Sequence, residues 1–217
     1  VLEGFQGYMD AEKLLRAYGI DTAFTLEASS PREAEDAAKD VGFPAVMKIN
    51  SPDISHKTDV GGVVTGLESR DEVNEAFEDL TDELYHQRPD AEMEGVLLQE
   101  ELEGLEVVLG LNHDPQFGPV VMVGLGGIFV EALHDVSFGL PPITQEEAEN
   151  MIEELRSHEL FQGARGSDYS MEPVKDAIMK LGELGMHHPE ISSLDINPFV
   201  LTEDGGYAAD IEVQFNE

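Results

Sequence analysis

The chain contains no cysteine and no tryptophan, and only 12 of its 217 residues are lysine or arginine. The absence of cysteine excludes disulfide bonds, thiolate metal centres and cysteine nucleophiles. No apolar run approaches the ~20 residues that a membrane-spanning helix needs, and no secretory signal precedes the first predicted helix. These absences predict a cytoplasmic protein that does not associate with membranes.

Positive charge is scarce because 46 Asp and Glu residues oppose the 12 Lys and Arg, which gives a net charge of −34. Such a surface repels nucleic acids and anionic membranes, so neither is expected as a partner. Acidic residues recur along nearly every helix-like stretch, and 41% of the residues are hydrophobic, which is enough for a core. The pattern favours a halophilic protein, because concentrated salt screens self-repulsion. An ordinary acidic protein is the alternative.

Hydrophobic patterns predict an α+β protein of two lobes, residues 1–94 and 95–217. Segments of the form Ser/Thr-x-x-Glu at residues 30–33, 69–72 and 144–147 are typical of capping boxes at the N-termini of helices. Strands are predicted at residues 22–26, 45–49, 63–67, 96–100, 106–111, 120–124, 128–134, 192–201 and 207–214. The first lobe is predicted to alternate helices and strands, whereas the second contains more adjacent strands.

Residues 46–63 combine a lysine on a strand with a polar loop that ends in two glycines. Lys48 has apolar neighbours on its strand, so its buried ammonium would need an anionic partner, and a phosphate is the natural one. A lysine that extends to solvent is the alternative. Gly61 and Gly62 would let backbone N–H groups approach that anion, and Lys57 adds a second cation.

His56 lies in the same loop, close to Lys57 and Asp59. An imidazole nitrogen can accept a phosphoryl group while a carboxylate on the other nitrogen fixes the tautomer. We therefore predict His56 as a phosphoryl acceptor, although a histidine taken alone is most often a solvated side chain. Arg165, between glycines, is the arginine most exposed to a substrate anion. P-loop and dinucleotide-binding glycine motifs are absent, so a nucleotide would be bound by another scheme.

The turn at residues 204–206, Asp-Gly-Gly, predicts an antiparallel hairpin near the C-terminus. Asp195 and Asn197 have the same parity on one strand and therefore share a face. Pairing across the turn brings Asp210 within about one residue pair of Asn197. Two carboxylates and an amide oxygen are hard ligands that suit Mg²⁺. An acidic hairpin without a metal is the alternative.

Together these segments resemble the ATP-grasp family, and within it the nucleotide-binding β part of ADP-forming acyl-CoA (acetyl-CoA) synthetases, relatives of succinyl-CoA synthetase. The resemblance is carried by AYGI, GFPAVMKINSPDISHKTDVGGV, DPQFGPVVMVGLGGIFVE, GARG and DINP, and it extends over residues 8–213. It implies an ATP-grasp fold in which two α+β lobes hold ATP or ADP between them.

The resemblance also implies roles for individual residues. His56 matches the histidine proposed to relay the phosphoryl group in that family. The other matched positions correspond to the ATP phosphates (Lys48, Gly61 and Gly62), the adenine hinge (Glu100 and Leu102), the ribose (Glu106) and Mg²⁺ (Asn197 and Asp210, with Asp195 close by).

By this resemblance the chain is the β subunit or β region of an ADP-forming acetate–CoA ligase. A CoA-binding α subunit or domain, as part of a hetero-oligomer, would make an acyl phosphate and transfer its phosphoryl group to a histidine. ADP would then accept that group in the ATP-grasp site, and every step would be reversible. The alternatives are a succinyl-CoA ligase-type β fragment and a non-catalytic ATP-binding regulatory module.

Overall fold

A computed structural model describes residues 4–5, 7–54, 57–126, 135–158 and 169–216, apart from the side chain of Asp59. The helices are α1 (Gly7–Ala17), α2 (Pro31–Val41), α3 (Arg70–Gln87), α4 (Gln145–Glu153) and α5 (Glu172–His187). The strands are β1 (Thr25–Ala28), β2 (Ala45–Asn50), β3 (Val63–Leu67), β4 (Gly95–Glu100), β5 (Leu105–Asp114), β6 (Gly118–Leu125), β7 (Val136–Gly139), β8 (Ile191–Leu201), β9 (Gly206–Ala208) and β10 (Ile211–Phe215). The α+β prediction is confirmed. The strand predicted at residues 128–134 lies outside the described residues.

Three helices begin at the predicted capping residues. The side chains of Ser30, Ser69 and Thr144 each accept a hydrogen bond from the backbone N–H three residues later. At α4 the capping box is complete, because Glu147 also accepts from the backbone N–H of Thr144 at 2.7 Å. At α2 and α3 the glutamate accepts instead from the residue before the cap.

The first compact unit comprises Val1–Asp10 and Ala23–Glu101. Its four-stranded antiparallel sheet has the order β1-β4-β2-β3. Helices α2 and α3 cover one face, where Met47, Ile49 and Leu98 contribute to the core. Because side chains alternate along a strand, Lys48 and Gln99 lie on the opposite face.

The second unit comprises Ala11–Thr22 and Leu102–Glu217, and its antiparallel sheet has the order β10-β8-β5-β6-β7, with β9 paired to β8. Helices α4 and α5 pack on one face. At Gly185 of α5 an added Cβ would lie 2.6 Å from a methyl carbon of Leu111 and 2.9 Å from Pro119. A glycine is therefore needed where the helix crosses β5 and β6.

The unit boundary differs from the predicted division between residues 94 and 95. Strand β4 pairs with both β1 and β2, so it belongs to the first unit. Residues 11–22 belong to the second unit, although they precede most of the first in the chain. Sequence patterns do not show such long-range pairing. Among the described residues, no helix is long and apolar enough to cross a membrane.

Candidate functional site

Lys48 lies on β2, on the sheet face that α2 and α3 leave uncovered. It is 6% exposed, and its Nζ donates a hydrogen bond to Oε1 of Gln99 at 2.8 Å. Lys48 pairs with Leu97 across β2 and β4, so Gln99 is its diagonal neighbour on the same face. Of the two interpretations of Lys48, the structure supports burial rather than extension to solvent.

Gln99 is itself held by two hydroxyl groups. Its Nε2 donates to the hydroxyl of Tyr8 at 3.0 Å and to Oγ1 of Thr25 at 2.9 Å. The Thr25 hydroxyl in turn donates to the carbonyl oxygen of Ala23 at 3.0 Å. All three side chains of this cluster (Gln99, Tyr8 and Thr25) are buried. Sequence patterns do not reveal this cluster, because the register of β1, β2 and β4 brings Gln99 and Thr25 to Lys48, and Tyr8 reaches Gln99 from α1.

The glycine loop begins with a 3₁₀ turn at Lys57–Val60. The N–H of Gly62 donates to the carbonyl of Lys57 at 2.7 Å, and that of Gly61 donates to the carbonyl of Thr58 at 3.1 Å. Gly61 has φ +66°, and a Cβ added at Gly62 would lie 2.9 Å from the Lys57 oxygen. In this conformation the two N–H groups therefore close the turn, and their contact with a phosphate stays a prediction.

His56 and Arg165 lie outside the described residues, so their roles stay predictions. The residues that precede His56 are held in place: Oδ2 of Asp53 accepts from the N–H of Glu92 at 2.7 Å, and Ile54 is buried in the core of the first unit. On the other side, the Lys57 carbonyl is fixed by the bond from Gly62.

The predicted adenine-hinge residues follow directly on from Gln99. Glu100 forms two hydrogen bonds with the backbone of Phe24. Its N–H donates to the Phe24 carbonyl at 3.1 Å, and its Oε1 accepts from the Phe24 N–H at 2.7 Å. Leu102 is half-buried and is the first residue of the second segment of the second unit. The described contacts show an ordered strand end, whereas purine recognition by Glu100 and Leu102 stays a prediction.

In the second unit, Asn197 and Asp210 lie directly opposite each other. The Asn197 N–H donates to the Asp210 carbonyl at 3.1 Å, between the pairs Ile196–Ile211 and Phe199–Ala208. The predicted proximity is confirmed and is closer than expected. Asp195 and Asn197 are exposed, whereas the residues that alternate with them are buried, which confirms their common face.

The register brings a further carboxylate, that of Glu212, to this face, which the sequence patterns do not reveal. Glu212 pairs with Asp195 across β10 and β8, so its side chain joins the same face. Glu106 also shares that face, because it has the parity of Gly110, which pairs with Asp195. Helices α4 and α5 cover the opposite face.

The hairpin side chains fit Mg²⁺ by donor chemistry. They offer hard oxygen ligands (Asp195, Asn197, Asp210 and Glu212) in partly exposed positions that leave room for water. Within the described part of the chain, no three His, Cys, Asp or Glu side chains lie close enough together to hold a metal ion. Mg²⁺ typically has few protein ligands and takes the others from water and phosphates, so Mg²⁺ binding at the hairpin stays a prediction that rests on donor type.

Sequence comparison assigns the chain to a family. Residues 5–215 match the family of the ATP-grasp domain. The chain belongs to the ATP-grasp family. It is 43% identical over 203 residues to the β subunit of the ADP-forming acetate–CoA ligase I of Pyrococcus furiosus, a match that covers 93% of this chain and 88% of that protein.

Solved structures agree with this assignment of the ATP-grasp chain. A dinucleotide forming acetyl-coenzyme A synthetase 1 of Ca. Korarchaeum cryptofilum, in complex with coenzyme A and Ca-AMPCP, superimposes with a TM-score of 0.94 at 38% identity, covering 99% of this chain and 95% of that one. A structure of the same enzyme with coenzyme A and Mg-AMPPCP has its phosphohistidine segment pointing towards the nucleotide binding site. That comparison gives a TM-score of 0.82 at 34% identity and covers 96% and 91% of the two chains. The predicted ATP-grasp fold and resemblance are confirmed.

A buried carboxylate, that of Asp135, fixes the backbone at residues 156 and 157 of this ATP-grasp chain. Asp135 accepts from the N–H groups of Arg156 and Ser157, at 2.9 and 2.8 Å. Burial alone would raise the pKa of Asp135, but the hydrogen bonds from Ser157 and Arg156 outweigh it and leave the pKa below its ordinary value. Ser137, two residues further on, donates to Glu154 at 2.8 Å. Strand β7 is thus tied to the residues that follow α4.

Replacing Asp135 with alanine is expected to lower the free energy of unfolding by about 1–3 kcal/mol at neutral pH, because two N–H groups lose their acceptor. The carboxylate's folded-state pKa is depressed, so its contribution is complete above the ordinary pKa and is lost as the pH falls through the folded value. Urea unfolding of the wild type and of Asp135→Ala should show a difference in the free energy of unfolding, and that difference should become smaller in acid. Asp82→Ala, at an exposed position of α3, is the control, and a difference independent of pH would contradict this role.

Proposed function

We propose that this ATP-grasp chain is the nucleotide-binding β part of an ADP-forming acetate–CoA ligase, which moves a phosphoryl group reversibly between a histidine and ADP. The observation that carries the proposal is the buried, hydrogen-bonded Lys48 on a central strand. A fixed cation at the surface of a sheet is the element that phosphoryl transfer requires, because that chemistry depends on positioning and charge neutralisation. Similarity to acetate–CoA ligase β subunits supports the choice of reaction.

In the proposed step, a ring nitrogen of His56 attacks the γ-phosphorus of ATP. The bond from that phosphorus to the β–γ bridging oxygen breaks, ADP leaves with the electron pair, and the new bond is nitrogen to phosphorus. Lys48 holds the phosphate oxygens, and Lys57 and Arg165 add positive charge. Asn197 and Asp210, with Asp195 close by, would hold Mg²⁺, which would supply further neutralisation of phosphate charge. The reverse step makes ATP.

We place the base and ribose of the nucleotide at Glu100, Leu102 and Glu106, and its phosphates near Gly61 and Gly62. A CoA-binding α subunit or domain, in a hetero-oligomer, carries out the acyl chemistry and exchanges the phosphoryl group with His56. Two findings support such a partner: the Pyrococcus furiosus relative is named a subunit β, and the Korarchaeum enzyme binds coenzyme A and has a phosphohistidine segment. A salt-rich cytoplasm is the proposed environment, supported by the net charge of −34.

The Lys48→Met variant tests this function. We expect it to weaken Mg·ATP binding by more than ~10-fold, because a buried cation that contacts phosphate is replaced by an apolar chain of similar length. Isothermal titration calorimetry with Mg·ATP measures the loss, and thermal unfolding establishes that the variant is folded.

Lys39→Met, which removes an exposed lysine from α2, should bind like the wild type. Absence of Mg·ATP binding by the wild-type chain would refute the proposed function. Equal binding by wild type and Lys48→Met would refute the role of Lys48 in it.

A further inference from the structure

We propose that Gln99 is the positioning residue for Lys48, and that its neutral amide aims the ammonium at a nucleotide phosphate without adding a negative charge beside it. This inference rests on the proposed function, since it takes Lys48 as a phosphate ligand. It assigns to Gln99 a role distinct from the purine contacts proposed for the residues that follow it. The hydroxyls of Tyr8 and Thr25 hold the Gln99 amide in its orientation.

The orientation of the Gln99 amide follows from what surrounds it. A lysine ammonium can only donate, so the amide atom 2.8 Å from Nζ must be the oxygen. The opposite atom, Nε2, has two hydrogens, and two hydroxyl oxygens accept them, from Tyr8 and Thr25. Because Gln99 is only 2% exposed, water does not compete for these bonds. The amide is therefore held in one orientation, and Oε1 gives Nζ a fixed direction.

The neutrality of residue 99 is the second element of the proposal. A lysine and a glutamine together keep one positive charge, whereas a lysine and a glutamate would sum to zero. The run at residues 99–101 is Gln-Glu-Glu, and its two carboxylates bind elsewhere, Glu100 to Phe24 and Glu101 to the N–H of Gly66. In a strongly acidic chain, the member of this run that contacts Lys48 is the uncharged one. Attraction to phosphate depends on that difference.

Gln99→Glu isolates the charge, because the two side chains have the same shape. The Tyr8 hydroxyl can rotate to donate to a carboxylate, and the Thr25 hydroxyl can do so by exchanging its bond to the Ala23 carbonyl, so the cluster stays hydrogen-bonded. We expect Mg·ATP affinity, measured by calorimetry, to fall by roughly 10-fold or more. Adenosine affinity, measured by ligand-observed NMR, should remain within about twofold, since adenosine has no phosphate.

Gln87→Glu is the matched control, because it makes the same replacement at an exposed position of α3 in the same unit. It should leave both affinities unchanged. The positioning role is overturned if Gln99→Glu binds Mg·ATP as tightly as the wild type. It is equally overturned if Gln99→Glu loses affinity for both Mg·ATP and adenosine and also loses thermal stability, because that result would indicate a purely structural role.

A double-mutant cycle gives a second test. Gln99→Met removes the acceptor without adding charge, and if Gln99 acts through Lys48, its effect on Mg·ATP affinity should disappear in a Lys48→Met background. Independent, additive losses would overturn the proposal. The proposed function fails separately, if the wild-type chain binds no Mg·ATP, so the two failures are distinguishable.

Discussion

Replacing His56 with alanine is expected to abolish phosphoryl transfer completely. Incubated with its CoA-binding partner and γ-labelled Mg·ATP, the wild-type chain should acquire a label that is lost in acid and stable in base, as expected of a nitrogen–phosphorus bond. The relay should then pass that label to the partner. With His56→Ala neither polypeptide should be labelled, because the only proposed acceptor of the γ-phosphoryl group has been removed. Gel separation of the two polypeptides after short incubation measures both steps.

The matched control is His86→Ala, which removes an exposed histidine from α3 and should leave labelling unchanged. Calorimetry with Mg·ATP should give the same affinity for wild type and His56→Ala, because the histidine is proposed to react with the nucleotide rather than to hold it. Labelling of the partner in the presence of His56→Ala would show that the phosphoryl group reaches it without this residue. That outcome would exclude the relay and leave nucleotide binding intact.

The free energy of unfolding is expected to rise steeply with KCl. The net charge of −34 opposes the compact state, and salt shortens the range of that repulsion from ~10 Å at 0.1 M to ~3 Å at 1 M. Along α3, seven acidic residues are exposed: Asp71, Glu72, Glu75, Glu78, Asp79, Asp82 and Glu83. We expect the melting temperature to increase by more than roughly 10 °C between 0.2 and 3 M KCl, a change of a few kcal/mol for a chain of this size.

A charge-reduced variant separates screening from general effects of salt on burial. Replacing Glu75, Glu78 and Asp82 by Gln, Gln and Asn leaves the buried face of α3 unchanged, since all three residues are exposed. Its melting temperature at low salt should be higher, and its dependence on KCl should be weaker. A flat response of the wild type would refute the halophile interpretation. If the melting temperatures of both proteins rise equally with KCl, the stabilisation comes from the effect of salt on apolar burial rather than from screening of charge.

Features of the fold and site that depend on nearby residues were predictable from the sequence. The caps at Ser30, Ser69 and Thr144 are local, because each involves an N–H three residues away. The pairing of Asn197 with Asp210 was nearly correct, because a tight turn sets the register of a hairpin. Parity then placed Asp195 and Asn197 on one face. Burial of Lys48 followed from its apolar neighbours.

The missed features depend on contacts between distant parts of the chain. Gln99 is 51 residues from Lys48 and 91 residues from Tyr8, and only the folded first unit brings the three together. The unit boundary was placed before β4 because no sequence pattern shows that this strand pairs with β1 and β2.

The hydrogen bond between Lys48 and Gln99 also has a consequence for how such a chain can change over generations. Glutamine and glutamate codons differ by a single base, so an exposed glutamine can become acidic in one mutational step. At Gln87, on the exposed side of α3, that step would remove only a surface hydrogen bond to Glu83, and water would screen the new charge. At residue 99 the same step would place a carboxylate against the buried lysine. The buried Lys48 therefore restricts residue 99 to an uncharged side chain, although acidic residues are enriched over the surface of this protein.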